Sequence, residues 1–173
     1  ARLGWSHGDE ELFTRDQLVS WFDGTHSNKS PAQWDPAKLL WVNAQYIKQA
    51  DNARLAGLVA AQLAKQGVEL TADAIESHLP QVCALLKDRC DTTVALATWA
   101  AKFYAELQID AVEQAQHVTD AVKPAIAMLQ EKLAVVAWDK ASIAATIKEV
   151  LGATGLKMPQ LAMPVRVLLL GTP

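Results

Sequence analysis

Helix-start signals, each followed by apolar residues at helical spacing, constrain this chain more than any other feature. Asp35-Pro36 combines an N-cap residue with a first-turn proline, and Asp139 precedes Ile143 and Ile147 on one helical face. Hydrophobic residues make up 51% of the chain, alanine and leucine dominate, and runs of β-branched residues are scarce. The sequence therefore predicts an all-α fold with a sizeable buried core.

Turn and polar residues divide the helical pattern into three segments. We place their boundaries at residues 1–50, 51–110 and 111–173. The apolar run at residues 165–170 fits a strand or a helix equally well by pattern alone. The chain starts with Ala1 rather than Met and stops just after this run, so we expect it to be a piece of a longer protein.

The charge pattern is weakly acidic overall but basic near the end of the chain. Sixteen Lys and Arg stand against nineteen Asp and Glu, which is unusual for an autonomous nucleic-acid binder. After Asp139, however, the chain carries Lys140, Lys148, Lys157 and Arg166, and Glu149 is the one acidic residue. Such a local basic surface can still bind phosphate.

Motifs for catalysis or metal binding are absent from the sequence. It contains no glycine-rich phosphate loop, no nucleophile elbow and no histidine pair at metal spacing. We expect His7, with Asp9 and its acidic neighbours, to form an exposed acidic turn, and Cys83 and Cys90 to be buried apolar positions of a reduced, cytoplasmic protein. No signal peptide or membrane-spanning run is present, so we expect no membrane partner.

Several motifs together resemble the glutamyl-tRNA synthetase family, in the right order along the whole chain. The most specific runs from Trp34 through Asp35, Lys38, Leu39 and Trp41 to Asn43, and continues to Tyr46-Ile47. The other matching segments are Arg2-Leu3-Gly4-Trp5, Phe13-Thr14 with Leu18, Arg89-Cys90-Asp91-Thr92, Trp138, and Pro164-Val165-Arg166 through Gly171.

The resemblance implies a fold, an activity and a partner. Residues 1–50 would belong to the stem-contact region, and residues 51–110 and 111–173 to two helical anticodon-binding subdomains. A catalytic domain upstream would attach glutamate to tRNA with ATP and Mg, whereas this fragment would hold no cofactor, no metal and no catalytic residue. The partner would be the tRNA for glutamate rather than DNA, and the fragment would be monomeric.

Four basic residues are the site candidates that the resemblance implies. Arg89 matches the arginine that recognises the third anticodon base in the discriminating type of enzyme, and Arg166 matches an arginine that contacts the other end of the anticodon. Arginine suits this task because it offers a planar donor fork and a stacking face. Lys38 and Lys157 are candidates for contacts with the tRNA backbone.

Each candidate also has an ordinary structural interpretation. Arg89 could form a surface ion pair with Asp88 or Asp91, Arg166 could extend from an apolar run to water, and Lys38 could pair with a neighbouring carboxylate. For the aromatic residues, we expect Trp41 to lie in the core. We expect Trp99 and Trp138 to be packing residues rather than platforms for bases.

Two alternative functions remain open at the level of sequence. The acidic balance and alanine-rich helices would also suit a helical protein–protein interaction module. A free-standing hydrolase or transferase would need a cluster of titratable groups that residue spacing does not provide.

Overall fold

A computed structural model of the chain describes residues 4–25 and 34–172. Arg2 and Leu3 of the first matching segment, His26, the polar residues 27–30 and Pro173 lie outside these ranges. The chain divides into two compact units, residues 1–105 and residues 106–173. Helices are the regular secondary structure in the described residues of both units, apart from a single isolated bridge between His7 and Glu10, so the predicted all-α fold is confirmed.

The first unit contains five α-helices among its described residues. In chain order these are α1 (Arg15–Trp21), α2 (Pro36–Gln49), α3 (Asn52–Lys65), α4 (Leu79–Leu86) and α5 (Thr93–Ala101). A short π-helical segment, Ala74–His78, precedes α4, and a 3-10 turn, Lys87–Arg89, follows it. Pro80 lies in the first turn of α4, where a proline is tolerated.

Side-chain caps fix where α1, α2 and α5 begin. Thr14 accepts a hydrogen bond from the Gln17 amide at 3.2 Å, and the Gln17 side chain accepts one from the Thr14 amide at 2.8 Å, which completes a capping box. Asp35 caps α2 through the Lys38 amide at 3.1 Å. Thr92, rather than Asp91, caps α5 through the Ala95 amide at 3.0 Å.

The core of the first unit joins α3, α4 and α5 to the end of α2. Its buried residues include Ile47, Leu55, Val59, Leu63, Leu79, Cys83, Leu86, Cys90 and Leu96. Burial of this apolar surface is the main force that holds the helices together. The prediction that both cysteines are buried is confirmed.

The segment before α1 is built around aromatic rings. The His7 ring stacks on Trp21 with 4.1 Å between centroids, and Trp5 packs edge-on against Phe13 and Phe22. Residues 7–11 are exposed, as predicted for an acidic turn. The Tyr46 hydroxyl donates to the Phe13 carbonyl at 3.2 Å, so this segment is attached to α2.

The second unit contains four α-helices among its described residues. They are α6 (Ala111–His117), α7 (Lys123–Leu133), α8 (Lys140–Thr154) and α9 (Met158–Leu170). Asp139 caps α8 through the amides of Ala141 and Ser142, both at 2.9 Å, as predicted. Residues 165–170, left open between strand and helix, belong to α9.

A second hydrophobic cluster holds α7, α8 and α9 together, with Ala125, Leu129, Val150 and Leu161 at its centre. The division between the two compact units falls between residues 105 and 106, and the predicted boundary after residue 110 stays a prediction. The further division of the first unit at residue 50 stays a prediction. None of the helices in the described ranges combines the length and apolar character needed to cross a bilayer.

Candidate nucleic-acid interface

Arg89 lies at the end of the Lys87–Arg89 turn that links α4 to α5. Leu86 before the turn and Cys90 after it are both buried, whereas Arg89 itself is exposed. Within the described part of the chain, its guanidinium makes no ion pair and no hydrogen bond, so the alternative of a pair with Asp88 or Asp91 is not realised there. The five donors of this guanidinium face water and can reach a ligand.

Two hydrogen bonds connect the segment around Arg89 to the α2 region. Lys87 Nζ donates to the Ala50 carbonyl at the end of α2, at 3.0 Å. Asn43 Nδ2 donates to the Asp91 carbonyl. The turn is thereby anchored on both sides of Arg89, whose side chain is exposed.

Arg166 lies in the middle of α9, between Val165 and the buried Val167. The guanidinium is exposed and makes no ion pair or hydrogen bond among the residues that the structure describes. The helix explains how an arginine fits into an apolar run. Because adjacent positions of a helix are rotated by about 100°, the neighbours of Arg166 pack inward while it points out.

The basic residues after Asp139 form an exposed set on the second unit. Lys140, Lys148 and Lys157 are exposed, as is Arg166. Glu149, the acidic residue among them, is neutralised by Lys132 at 2.6 Å. The local surplus of positive charge that the sequence indicated is therefore available at the surface.

Lys157 precedes α9 at the N-cap position. Its backbone amide donates to the Gln160 side chain at 2.8 Å, which fixes the start of the helix. Its ammonium group is exposed and can contact a phosphate group.

Lys38 is less available than the other three candidates. Its ammonium group contacts the Glu11 carboxylate and lies 4.1 Å from the centroid of the Trp41 ring. The pairing with a neighbouring carboxylate, one of the two roles considered for Lys38, is therefore present. The expectation that Trp41 lies in the core is wrong, since 41% of the residue is exposed and its ring stacks under a cation.

Trp138 lies at the surface, in contrast to the expectation from the sequence. It is 78% exposed, so its assignment as a packing residue is wrong. Trp138 lies just before Asp139, the N-cap residue of α8, and is therefore outside the helix. A residue outside a helix does not have to lie on the buried face of that helix. The sequence alone places Trp138 before the Asp139 cap. Trp138 borders an open apolar cavity of about 410 Å³ lined by Ile126, Leu129, Gln130, Leu133, Ala134, Val165, Leu168 and Leu169.

Trp99 is an intermediate case. It is 37% exposed, and Lys102 Nζ lies 5.8 Å from its ring centroid. Part of the ring therefore packs against the protein, as expected, and part of it faces solvent.

The thiols provide no nucleophile. Burial raises the pKa of Cys83 to about 11, with a smaller opposing effect from Lys87, and burial likewise raises the pKa of Cys90. Both groups are therefore protonated thiols near neutral pH, and the thiolate is the reactive form. Residues 4–25 and 34–172 also contain no group of His, Cys, Asp and Glu that could hold a metal ion. The exposed arginines and lysines can bind an anionic partner.

The comparisons with known proteins agree with this geometry. The family described as "Anticodon binding domain" matches residues 43–173. This match covers most of the chain and both exposed arginines. The chain belongs to the anticodon binding domain family.

Relatives with similar sequences are glutamate–tRNA ligases. The chain is 60% identical over 172 residues to the ligase of Paracidovorax citrulli (strain AAC00-1), covering 99% of this chain and 36% of that protein. It is 55% identical to the ligase of Paraburkholderia phytofirmans (strain DSM 17436 / LMG 22146 / PsJN), covering 99% of this chain and 37% of that protein. The chain thus spans about a third of the length of the curated relatives it matches.

The fold is also found in a solved structure. The glutamate tRNA ligase of Elizabethkingia meningosepticum CCUG26117, in complex with its amino acid, superposes with a TM-score of 0.77. The identity is 24%, and the match covers 98% of this chain and 34% of that one. At this identity the comparison shows the shared fold alone.

Proposed function

We propose that this chain is the tRNA-binding part of a glutamate–tRNA ligase and recognises the anticodon of the tRNA for glutamate. The observation that carries the proposal is the exposure of Arg89 and Arg166, two guanidiniums that have no partner in the described structure, within a chain of the anticodon binding domain family. The ligase relatives support the choice of tRNA. ATP and Mg would act in another part of the ligase.

The two arginines suit the chemistry of an anticodon loop. Loop bases are unstacked, and they present hydrogen-bonding edges and flat faces that a guanidinium can meet. By analogy with duplex readout, one bidentate contact to a base edge discriminates by about 1–3 kcal/mol. We assign the third anticodon base to Arg89 and the other end of the anticodon to Arg166.

The exposed lysines supply the electrostatic part of binding. Lys140, Lys148 and Lys157 can each approach a phosphate group and release counterions, and Lys38 can do so after exchanging its Glu11 contact. The chain would work in the cytoplasm, where the tRNA is charged, and would bind RNA as a monomer.

A titration with RNA hairpins tests the proposal. The chain is titrated into a labelled anticodon stem-loop of the glutamate tRNA at low and moderate salt, and binding is followed by fluorescence anisotropy. We expect saturable binding that weakens as salt rises. A stem-loop with a permuted anticodon is the matched control, and we expect it to bind about tenfold more weakly.

A protein–protein interaction module would behave differently. It would ignore both hairpins at every salt concentration. Equal binding of the two hairpins would also contradict anticodon recognition, because it would show attraction to phosphate without readout of bases.

A further inference from the structure

We infer that Asn43 is a positioning residue that sets the direction in which Arg89 meets the RNA. This inference rests on the proposed function, since it assumes that Arg89 reads a base. Asn43 contacts no RNA in this proposal. It acts through the backbone that carries Arg89.

The inference starts from a hydrogen bond between distant parts of the sequence. Asn43 lies in α2, and its Nδ2 donates to the Asp91 carbonyl, 48 residues further along the chain. Asn43 itself is half-buried, and Asp91 is exposed. Asp91 follows Arg89 by two residues, and the bond therefore fixes the exit of the turn.

A second bond from the same region fixes the entry of the turn. Lys87 Nζ donates to the Ala50 carbonyl at 3.0 Å, and Ala50 is the C-cap of α2. Leu86 and Cys90 anchor the segment further by inserting into the core. Arg89 thus lies between two hydrogen bonds to the α2 region, and we expect these bonds to orient its side chain relative to α2.

Orientation matters because a guanidinium reads a base through a planar fork. Two parallel hydrogen bonds form only within a narrow range of angles. A guanidinium that is loosely positioned therefore loses much of its selectivity between bases. Phosphate attraction tolerates such movement, since charge acts over about 8–10 Å in ordinary salt. A loosened turn should therefore lose selectivity between bases before it loses overall affinity.

Asn43→Asp is the sharpest single change. The carboxylate has the same shape as the amide, but it has no donor and would repel the Asp91 carbonyl. Gln49→Glu is the matched control, because it makes the same amide-to-carboxylate change at an exposed position of the same helix. Lys87→Met removes the second attachment.

The measurement uses two anticodon stem-loops that differ only at the third anticodon base: the stem-loop of the glutamate tRNA, and the same stem-loop with that base changed to the one in the glutamine tRNA. The quantity of interest is the ratio of their dissociation constants for each variant. We expect about tenfold selectivity for the unaltered chain. We expect Asn43→Asp and Lys87→Met each to lower the ratio by about threefold, in line with the loss of one hydrogen bond.

A double variant separates positioning from a general structural effect. Arg89→Gln should bring the ratio close to one, and adding Asn43→Asp should then change the ratio no further. Gln49→Glu should keep the ratio of the unaltered chain. Circular dichroism melts identify any variant that fails to fold, and if Asn43→Asp does so, Lys87→Met decides the question.

Different results would contradict the base-reading role of Arg89 and the positioning role of Asn43. If the unaltered chain does not distinguish the hairpins, or Arg89→Gln leaves the ratio unchanged, the role of Arg89 is overturned and this inference falls with it. If Arg89→Gln abolishes selectivity while the folded Asn43→Asp and Lys87→Met variants keep it, the role of Arg89 stands and the positioning role is overturned.

Discussion

Gly171 ends α9 directly against the main chain of Gln108. A Cβ at Gly171 would lie 2.3 Å from the Gln108 carbonyl oxygen, closer than any side chain can approach. Gly171 also adopts a φ of +77°, which non-glycine residues rarely accept. The end of α9 is therefore built around the absence of a side chain.

Gly171→Ala should destabilise the second unit by about 1–3 kcal/mol, because both the left-handed backbone and the Gln108 carbonyl oppose a methyl group. Gly152→Ala is the control, since Gly152 lies inside α8 with no atom within 4 Å of the added Cβ. That change should stabilise by about 0.5–1 kcal/mol. Urea denaturation measures both effects, and a shift of the same sign for the two variants would contradict this account.

Leu79→Ala should lower the free energy of unfolding of the first unit by about 2–5 kcal/mol, because it opens a cavity at a fully buried position. Leu85, on the same helix, is 64% exposed. Leu85→Ala should change the free energy by no more than about 0.5 kcal/mol. Denaturant melts of the two variants provide the comparison, and equal losses would argue against the assigned core.

Cys83 should make stability fall at alkaline pH. Its pKa is about 11 in the folded chain and 9.0 as the reference value, so folding favours the protonated thiol. This contribution is fully present below pH 9 and is lost as pH rises through 11, with a size on the order of 2 kcal/mol. Thermal melts between pH 8 and pH 11 should show a steeper decline for the unaltered chain than for Cys83→Ala. Parallel curves would show that the thiol is not desolvated.

Lys157→Met should weaken binding to both anticodon hairpins by a similar factor. Lys157 presents an exposed ammonium group, and its backbone rather than its side chain fixes the start of α9. The slope of log affinity against log salt should become shallower by about 0.7–1, the value for one phosphate contact. Lys65→Met, which removes an exposed lysine of the first unit, is the charge-matched comparison. An unchanged slope would remove Lys157 from the interface.

The helix starts were predictable because capping is local. Thr14, Asp35 and Asp139 each satisfy amides within three residues, so the sequence contains the whole interaction. Arg89 and Arg166 were singled out through family resemblance, and their exposure agrees with a binding role without testing it. The helix at residues 165–170 could not be distinguished from a strand, because a short apolar run has no clear periodicity.

The surface positions of Trp41 and Trp138 could not be predicted from hydrophobicity. A large ring is usually buried, but the Trp41 ring contacts the Lys38 ammonium group at the surface, and Trp138 lies before a helix rather than in it. The hydrogen bond from Asn43 to Asp91 could not be predicted from the sequence, since it joins two segments 48 residues apart. Both motifs were recognised separately, and only the fold shows that one supports the other.

Arg89 and Arg166 belong to compact units with separate hydrophobic clusters. Substitutions around one arginine therefore leave the packing beneath the other intact, and their energetic effects should add. Under the proposed function, the two ends of the anticodon are recognised by different units, and the specificity of each unit can change separately during evolution. Substitutions in the first unit could lower the specificity at the third anticodon base while the second unit continued to bind the loop.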